Sequence, residues 1–327
     1  MVGLAIIGAG GMGAYYARLM ASMPDVGLAY VCDTVEEKAK SIALKYGCSY
    51  TIDPAEAIES EQVDGVIITT PPFVRDELVK AAVENNKAIF CEKPLSINFE
   101  GALRLYRMAE GRVPFMMGFV LRWWPVYTYI KRELDSGRLG KPLLLWLTDM
   151  GNWERQLKNV PWRRRRALNA GIIEQIIHEI DMARYLAGEV SEVYAHGLRG
   201  VLELADYEDN ALLTLKFRQG AIGTVIGSLA SRVGNRMGVL VATKGTILFD
   251  TREQYVKARY ADGSEYEEKL AWPEDPYLGE LKEFVRWIKE GKEARATLED
   301  GVKAQEIAEA AIKSMALGEP VKLPLTT

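Results

Sequence analysis

The chain has 327 residues, of which 48% are hydrophobic and 26% charged, and its formal net charge is −4. This length is enough for two domains with a buried core. The slight negative charge gives no general attraction to polyanions and argues against a nucleic-acid partner.

The three cysteines, Cys32, Cys48 and Cys91, have neither paired spacing nor a C-x-x-C arrangement. This pattern predicts free thiols in a reducing compartment. The apolar run at the N-terminus is only as long as a strand and has no basic leader, which does not fit a signal peptide. No stretch approaches the length of a membrane span. We therefore expect a cytoplasmic protein with no membrane partner.

The first predicted strand, Leu4 to Ile7, leads into a glycine-rich turn that reads Gly8-Ala9-Gly10-Gly11-Met12-Gly13. An amphipathic stretch begins at Met12, so the turn joins a strand to a helix. In this context Gly8 permits a tight turn, Gly10 lets the backbone approach a pyrophosphate, and Gly13 lets helix and strand pack closely. The helix N-terminus offers free N–H groups to the anion. The alternative is a strand-turn-helix that binds no ligand.

Asp33 ends the second apolar run, where its carboxylate is expected to accept hydrogen bonds from both adenosine ribose hydroxyls. A carboxylate there repels a 2′-phosphate, and the neighbouring Thr34 supplies no cation. The sequence therefore favours NAD over NADP.

Strand-like and helix-like runs alternate up to about Phe119, which predicts βαβ units in a doubly wound parallel sheet. Beyond it, long strand candidates surround one predicted helix, from Ile172 to Leu186. The fold class is thus α/β, with a Rossmann domain over residues 1–119 and an α+β domain with a large, mainly antiparallel open sheet over residues 120–327. An apolar sheet face left uncovered predicts a homodimer or homotetramer.

Two further segments follow strands that are predicted to end at the ligand crevice of the first domain. Thr70 and Pro71 follow one strand, where a bound cofactor would pass, and Glu92 and Lys93 follow the next. From position alone, Lys93 is either half of a surface ion pair with Glu92 or a poised catalytic ammonium.

Glu174 and His178 have the i, i+4 spacing that places two side chains on one helical face, and Asp181 lies within one turn of His178. The pair supplies too few ligands for a metal site, and we expect no metal. Our interpretation is a carboxylate that orients a general base, the alternative being a helix histidine bonded to its neighbour. His196 lies in a strand pattern typical of a structural residue.

A basic run, Arg163 to Arg166, follows Trp162. It is either a local solvated surface or a contact for an anionic substrate, a cofactor phosphate or a neighbouring subunit. Trp162 itself fits either a core position or an apolar wall of a sugar pocket.

In chain order, these motifs resemble those of the Gfo/Idh/MocA oxidoreductases. The matching motifs are Gly8-x-Gly10-x-x-Gly13, Thr70-Pro71, Glu92-Lys93-Pro94-Leu95-Ser96, Gly118-Phe119-x-x-Arg122, Trp162-Arg163 and Glu174-x-x-x-His178-x-x-Asp181-x-x-Arg184-Tyr185-Leu186. The resemblance spans essentially the whole chain. It implies a Rossmann domain and a sheet domain that supplies substrate contacts and the oligomer interface, with a sugar, sugar acid, inositol or related polyol as substrate.

The resemblance also implies the site residues. Lys93, His178 and Glu174 are expected to be catalytic, and Lys93, Arg122, Trp162, Arg163, Glu174 and His178 to contact the substrate. The residues expected at the cofactor are Gly8, Gly10, Gly11, Met12, Gly13, Asp33, Thr34, Thr70, Pro71, Arg75, Glu92 and Lys93.

Three positions depart from the family pattern. Glu174 stands where Asp is usual, Ile176 replaces a frequent small residue, and Arg75 occupies a place where His is common. The chain is thus expected to be an NAD-dependent dehydrogenase of a sugar or polyol. The alternatives are a dinucleotide-binding sensor without turnover, and a glycosidase or lyase that uses bound NAD for a transient oxidation.

Overall fold

The computed structural model describes residues 1–326 and divides them into two compact units. The first comprises Met1–Val120 and Glu274–Val302, and the second comprises Leu121–Pro273 and the C-terminal residues from Lys303 onward. The sequence predicted a single boundary after residue 119. The segment 274–302 instead belongs with the first unit, because its helix packs against the helix and the strand at the start of the chain.

The first unit is built on a parallel sheet of six strands in the order β3-β2-β1-β4-β5-β6. The strands are β1 (Val2–Ile7), β2 (Val26–Cys32), β3 (Ser49–Thr51), β4 (Gly65–Ile68), β5 (Ala88–Glu92) and β6 (Phe115–Gly118). The helices between them are α1 (Gly11–Met20), α2 (Glu36–Tyr46), α3 (Pro54–Glu59), α4 (Arg75–Glu84) and α5 (Phe99–Ala109). The strand order reverses between β1 and β4, which opens a crevice at the carboxyl edge of the sheet. The predicted doubly wound sheet is confirmed.

The second unit begins with a set of helices around one long strand. These elements are α6 (Pro125–Asp135), β7 (Pro142–Asn152), α7 (Glu154–Asn159), α8 (Arg166–Asn169), α9 (Ile172–Gln175) and α10 (Ile177–Ala187). The predicted helix from Ile172 to Leu186 is therefore two helices. The break falls at Ile176, which has φ −85° and ψ 10°. Its side chain is fully buried, and it lies where a Cβ on Gly227 would be 2.4 Å away, so a glycine on the sheet makes room for it.

The sheet of the second unit is mixed and mostly antiparallel, as predicted. Its remaining strands are β8 (Val190–Leu198), β9 (Asn210–Phe217), β10 (Ile222–Ser228), β11 (Ala230–Asn235), β12 (Met237–Ala242), β13 (Gly245–Asp250), β14 (Tyr255–Tyr260) and β15 (Glu265–Lys269). The chain ends with α11 (Pro276–Glu290), which belongs to the first unit, then α12 (Leu298–Leu317) and β16 (Val321–Lys322). Of the strand pairs in this sheet, β7 with β10 is parallel. The three cysteines are free.

A membrane-spanning helix is not found: within residues 1–326, no helix has both the length and the apolar character that a bilayer crossing requires.

Two buried guanidinium groups hold α10 in the second unit. Arg122 pairs with Asp181 through two hydrogen bonds, of 2.9 and 2.6 Å, and both side chains are at most 2% exposed. Arg236 bridges Asp149 of β7, at 2.7 Å, and the fully buried Glu179, at 2.8 Å. Arg122 was predicted to contact substrate. The structure instead places it in a buried ion pair that anchors the helix carrying His178.

Arg122→Met is expected to lower the free energy of unfolding by about 3–5 kcal/mol, because it leaves the Asp181 carboxylate buried without its cation. The double variant Arg122→Met/Asp181→Leu should lose less than Arg122→Met alone, since no uncompensated charge remains. Urea denaturation measures all three chains.

Arg104→Met provides the matched control for this prediction. Arg104 is half exposed and pairs with Asp76 on the surface, so its removal should cost at most about 1 kcal/mol. Equal losses for Arg104→Met and Arg122→Met would contradict an anchoring role for the buried pair.

Candidate functional site: a dinucleotide crevice and the helix of His178

The glycine turn after β1 has the geometry that a phosphate-binding turn needs. Gly8 has φ +108°, and a Cβ there would lie 2.9 Å from Thr69 Oγ1. A Cβ on Gly13 would lie 2.0 Å from the Gly8 carbonyl oxygen, so only glycine lets α1 approach β1 this closely. Added Cβ atoms on Gly10 and Gly11 would meet nothing within 4 Å. Backbone at these two positions is therefore open to a ligand at the N-terminus of α1.

Asp33 lies directly after β2 and is fixed beside the same turn. One carboxylate oxygen accepts from Ala9 N and the other from Val35 N, each at 2.8 Å. The carboxylate is partly exposed and keeps lone pairs for further donors. Thr34 is exposed beside it, and Met12 is half-buried in the first turn of α1. These positions fit the predicted contact with a ribose.

Thr70 and Pro71 follow β4 at the same edge of the sheet. The Thr70 hydroxyl is buried and has no hydrogen-bond partner among residues 1–326. A buried hydroxyl is normally bonded, so this one is available to a ligand. Together with the open glycines and Asp33, it shows that the crevice fits a dinucleotide.

Arg75, predicted at the cofactor, has a different place in the structure. It is the first residue of α4, and its side chain is 2% exposed. Its Nη2 donates to the Thr70 carbonyl at 2.7 Å, and its Nη1 donates to the carbonyls of Glu92 and Pro94. Since its donors are directed at backbone, Arg75 supports the two loops at the crevice instead of presenting a cation to the ligand.

Glu92 is also turned away from the crevice. It is 8% exposed, and its carboxylate accepts from Tyr16 Oη at 2.7 Å and from Lys93 N at 3.1 Å. Because Glu92 is buried, it is not half of an exposed surface ion pair, although the charge of Lys93 acts on its carboxylate. Lys93 itself is half-exposed at the end of β5, with the carbonyls of both neighbours held by Arg75.

The second unit brings together three of the predicted substrate residues. Arg163 Nη1 donates to Glu174 Oε2 at 2.8 Å, and Glu174 is 4% exposed. The guanidinium carbon of Arg163 lies 4.8 Å from the ring centre of Trp162 and 5.4 Å from that of Trp153. Stacking between two indoles and pairing with a carboxylate hold the arginine in one orientation. Trp153 was not predicted at this site.

His178 is the second residue of α10 and is half-buried. Glu174 lies in α9, on the other side of the break at Ile176, so the two residues do not belong to one continuous helix. Gln175, between them, donates to Asp149 at 3.4 Å. Neither Gln175 nor Asp149 was predicted, because Asp149 lies in a distant strand and only the fold brings the two together.

The other arginines of the basic run are used locally. Arg164 donates to the carbonyls of Leu157 and Lys158, Arg165 pairs with Asp206 at 3.6 Å, and Arg166 pairs with Glu208. These contacts favour the local structural alternative for this part of the run. His196 is exposed on β8 against the ring of Tyr194. Among residues 1–326, no three His, Cys, Asp or Glu side chains cluster as a metal site would require.

Both halves of the chain match one family. Residues 2–119 match the oxidoreductase family with an NAD-binding Rossmann fold, GFO_IDH_MocA, and residues 131–323 match its C-terminal alpha/beta domain. A scyllo-inositol 2-dehydrogenase (NAD(+)) from Bacillus subtilis is 32% identical over 98% of this chain and 95% of its own length. A myo-inositol 2-dehydrogenase from Thermotoga maritima is 31% identical over 98% of both chains.

A solved structure, levoglucosan dehydrogenase in complex with NADH, superposes with a TM-score of 0.91 over 99% of this chain and 100% of the other. At 24% sequence identity this similarity establishes the shared fold. The two domain matches agree with the glycine turn and with Lys93 after β5. The chain therefore belongs to the Gfo/Idh/MocA oxidoreductase family, with an NAD-binding Rossmann domain at its N-terminus.

Proposed function

We propose that the chain oxidises or reduces a secondary alcohol of a sugar, sugar acid or inositol-like polyol with NAD. The observation that carries the proposal is Lys93, placed at the carboxyl edge of the dinucleotide-binding sheet with its backbone held by Arg75 and Glu92. The two full-length relatives named above are inositol dehydrogenases, which supports the substrate class.

In the oxidative direction, the proposed roles follow from the chemistry of the side chains. Bound NAD supplies the acceptor for the hydride that leaves the substrate carbon. His178 takes the hydroxyl proton as general base. The ammonium of Lys93 donates to the same oxygen and stabilises the negative charge that develops there. Glu174, held by Arg163, offers a fixed acceptor to a neighbouring hydroxyl.

The direct test is to mix the protein with NAD and a panel of sugars and polyols and to record the absorbance of NADH. Accumulation of NADH with at least one polyol supports the proposal. Tight NAD binding with no turnover indicates a sensor, and release of a cleaved sugar without net NADH indicates a glycosidase or lyase.

Asp33→Ala is expected to weaken NAD binding by about 1.5–3 kcal/mol, because a charged acceptor for the ribose hydroxyls is lost. The preference for NAD over NADP should narrow, since the repulsion of a 2′-phosphate is lost as well. Calorimetric titrations with NAD and with NADP measure the two effects. Asp53→Ala, which removes a helix-cap carboxylate from the same unit, serves as control. Tighter binding of NADP than of NAD by the unmodified chain would overturn the assignment.

His178→Ala is expected to lower kcat by about 10²–10⁴-fold with little change in NAD affinity, because general-base assistance acts in the transition state. Lys93→Ala should be comparably damaging. Lys93→Arg should not restore the rate, since a planar guanidinium does not replace a compact ammonium at one oxygen. Glu174→Gln should be intermediate, because it keeps the shape and loses the charge. Steady-state kinetics and nucleotide titration separate these effects.

The exposed histidine provides the control for these variants. His196→Ala changes a histidine that lies against Tyr194 on β8, and it should leave kcat unchanged. A hydride-transfer rate that His178→Ala does not alter at any pH would assign the base elsewhere and return His178 to a structural role.

We also propose that the open face of the second sheet joins copies of this chain into a homo-oligomer. Cross-strand pairs align apolar side chains on this face, and several of them are about half exposed. The open face consists of Leu144 on β7, Leu212 on β9, Ile222 on β10, Val241 on β12 and Leu248 on β13.

Leu144→Lys/Ile222→Lys is expected to shift the chain toward the monomer, because the two residues are cross-strand partners and a charge on each opposes burial of the open face. Light scattering after size exclusion measures the mass. Leu44→Lys, a 74% exposed leucine on α2, is the matched control and should not change the mass. An unmodified chain that runs as a monomer at all concentrations would contradict the proposal.

A further inference from the structure

Three buried polar side chains of the first unit meet beneath Lys93. They are Tyr16 of α1, Glu92 at the end of β5 and Glu280 of α11. The Tyr16 hydroxyl oxygen lies 2.7 Å from Glu92 Oε1 and 2.6 Å from Glu280 Oε1. Tyr16 and Glu280 are fully buried, and neither was singled out from the sequence.

These distances determine how many protons the cluster holds. A tyrosine hydroxyl carries one proton and can donate to only one of the two carboxyl oxygens. The other carboxyl oxygen is close enough to the phenol oxygen to form a hydrogen bond only if it carries a proton of its own. With both carboxylates ionised, one of them would face an oxygen lone pair in a buried site. One of the two glutamates is therefore a neutral acid.

The surroundings identify Glu280 as the neutral one. Burial raises the pKa of Glu92, but the Tyr16 hydroxyl and the charges of Lys93 and Arg75 oppose that rise, and the carboxylate also accepts from Lys93 N. Glu280 faces Tyr16 and the negative charges of Glu92 and Asp275.

Glu280 also lacks the hydrogen bonds that an ionised carboxylate needs. Its Oε2 is buried and accepts no hydrogen bond from the residues that the structure describes. Burial raises the pKa of Glu280 well above that of an ordinary carboxyl, and the nearby charge of Glu92 raises it further.

We propose that Tyr16 and Glu280 are positioning residues for Lys93. The neutral Glu280 donates a hydrogen bond to Tyr16 Oη, and Tyr16 donates one to Glu92 Oε1. Glu92 Oε2 in turn accepts a hydrogen bond from Lys93 N. Each group in this series is oriented by a hydrogen bond with the one before it. The backbone of Lys93 is therefore fixed by hydrogen bonds to buried side chains of the first unit. The role of Lys93 in catalysis rests on the proposed function, but the arrangement of protons does not.

The proton on Glu280 is tested without any activity measurement. The unfolded chain releases this proton above about pH 4.3, the usual glutamate pKa, whereas the folded chain retains it. The free energy of unfolding of the wild type therefore decreases as the pH rises above that value, until the carboxyl of the folded chain also ionises. Glu280→Gln carries no such proton but keeps a donor for Tyr16. The free energy of unfolding of Glu280→Gln, relative to that of the wild type, should therefore increase with pH above about pH 4.3. A difference that stays constant between acid and alkaline pH would overturn the assignment of the proton.

The hold on Lys93 is tested with two adjacent tyrosines. Tyr16→Phe breaks the series of hydrogen bonds. Tyr15 lies on the same helix, and its hydroxyl donates to Asp275, so Tyr15→Phe removes a hydroxyl and leaves the series intact. Exchange of the Lys93 amide hydrogen should be about tenfold faster in Tyr16→Phe, as expected for loss of one hydrogen bond, and unchanged in Tyr15→Phe. Equal exchange in the two variants would overturn the positioning role.

Variants at residue 280 separate positioning from packing. Glu280→Leu removes the donor and should lower kcat about tenfold with NAD affinity unchanged, whereas Glu280→Gln should retain the wild-type kcat. Failure of Glu280→Gln to retain activity, in a chain whose wild type turns over, would count against the proposal. If the wild type oxidises no polyol, the proposed function fails, and the stability and exchange measurements still decide whether the series exists.

Discussion

The interaction on which the carboxyl edge of the first sheet depends is the set of hydrogen bonds that Arg75 makes with backbone. A guanidinium is always charged and carries five donors in a plane, so it can satisfy several carbonyls at once even when buried. Here it connects the carbonyl of Thr70, after β4, with those of Glu92 and Pro94, after β5. Two loops at the point where strand order reverses are thereby held together, and Lys93 lies between two of the carbonyls that Arg75 binds.

Buried arginines recur as structural elements in the second unit. Arg122 with Asp181 and Arg236 with Asp149 and Glu179 place cations against the helix that carries His178. Burying a charge is costly unless it is paired and hydrogen-bonded, so such groups tolerate few alternative arrangements. The second unit therefore orients its candidate base with ion pairs, while the first orients its candidate lysine with backbone contacts and a neutral acid.

The neutral acid explains why two glutamates can lie on either side of one phenol. Arg75 and Lys93 favour the anion of Glu92 against the effect of burial, whereas no cation within residues 1–326 acts comparably on Glu280. The two carboxyls are of the same type, and their surroundings give them opposite charge states. From the sequence, Glu92 could have formed a surface ion pair with Lys93. In the fold its side chain is buried and accepts a hydrogen bond from Tyr16.

The sequence by itself determined the features that depend on local spacing. Strand alternation, the turn from Gly8 to Gly13 and the position of Asp33 follow from short-range patterns, and the structure shows the expected parallel sheet and glycine contacts. The family could likewise be read from motifs such as Glu92-Lys93-Pro94. Only the tertiary structure decided where long-range partners lie. Arg75 was expected at the cofactor and Arg122 at the substrate, but both are buried, Arg75 against backbone carbonyls of two loops and Arg122 against Asp181, 59 residues away. Ile176, where the helix breaks, packs against Gly227 of a distant strand, and the partnership of Tyr16 with Glu280 joins residues 264 positions apart. No local pattern carries such information, because it arises from which side chains compaction brings together and from what burial then does to their charges.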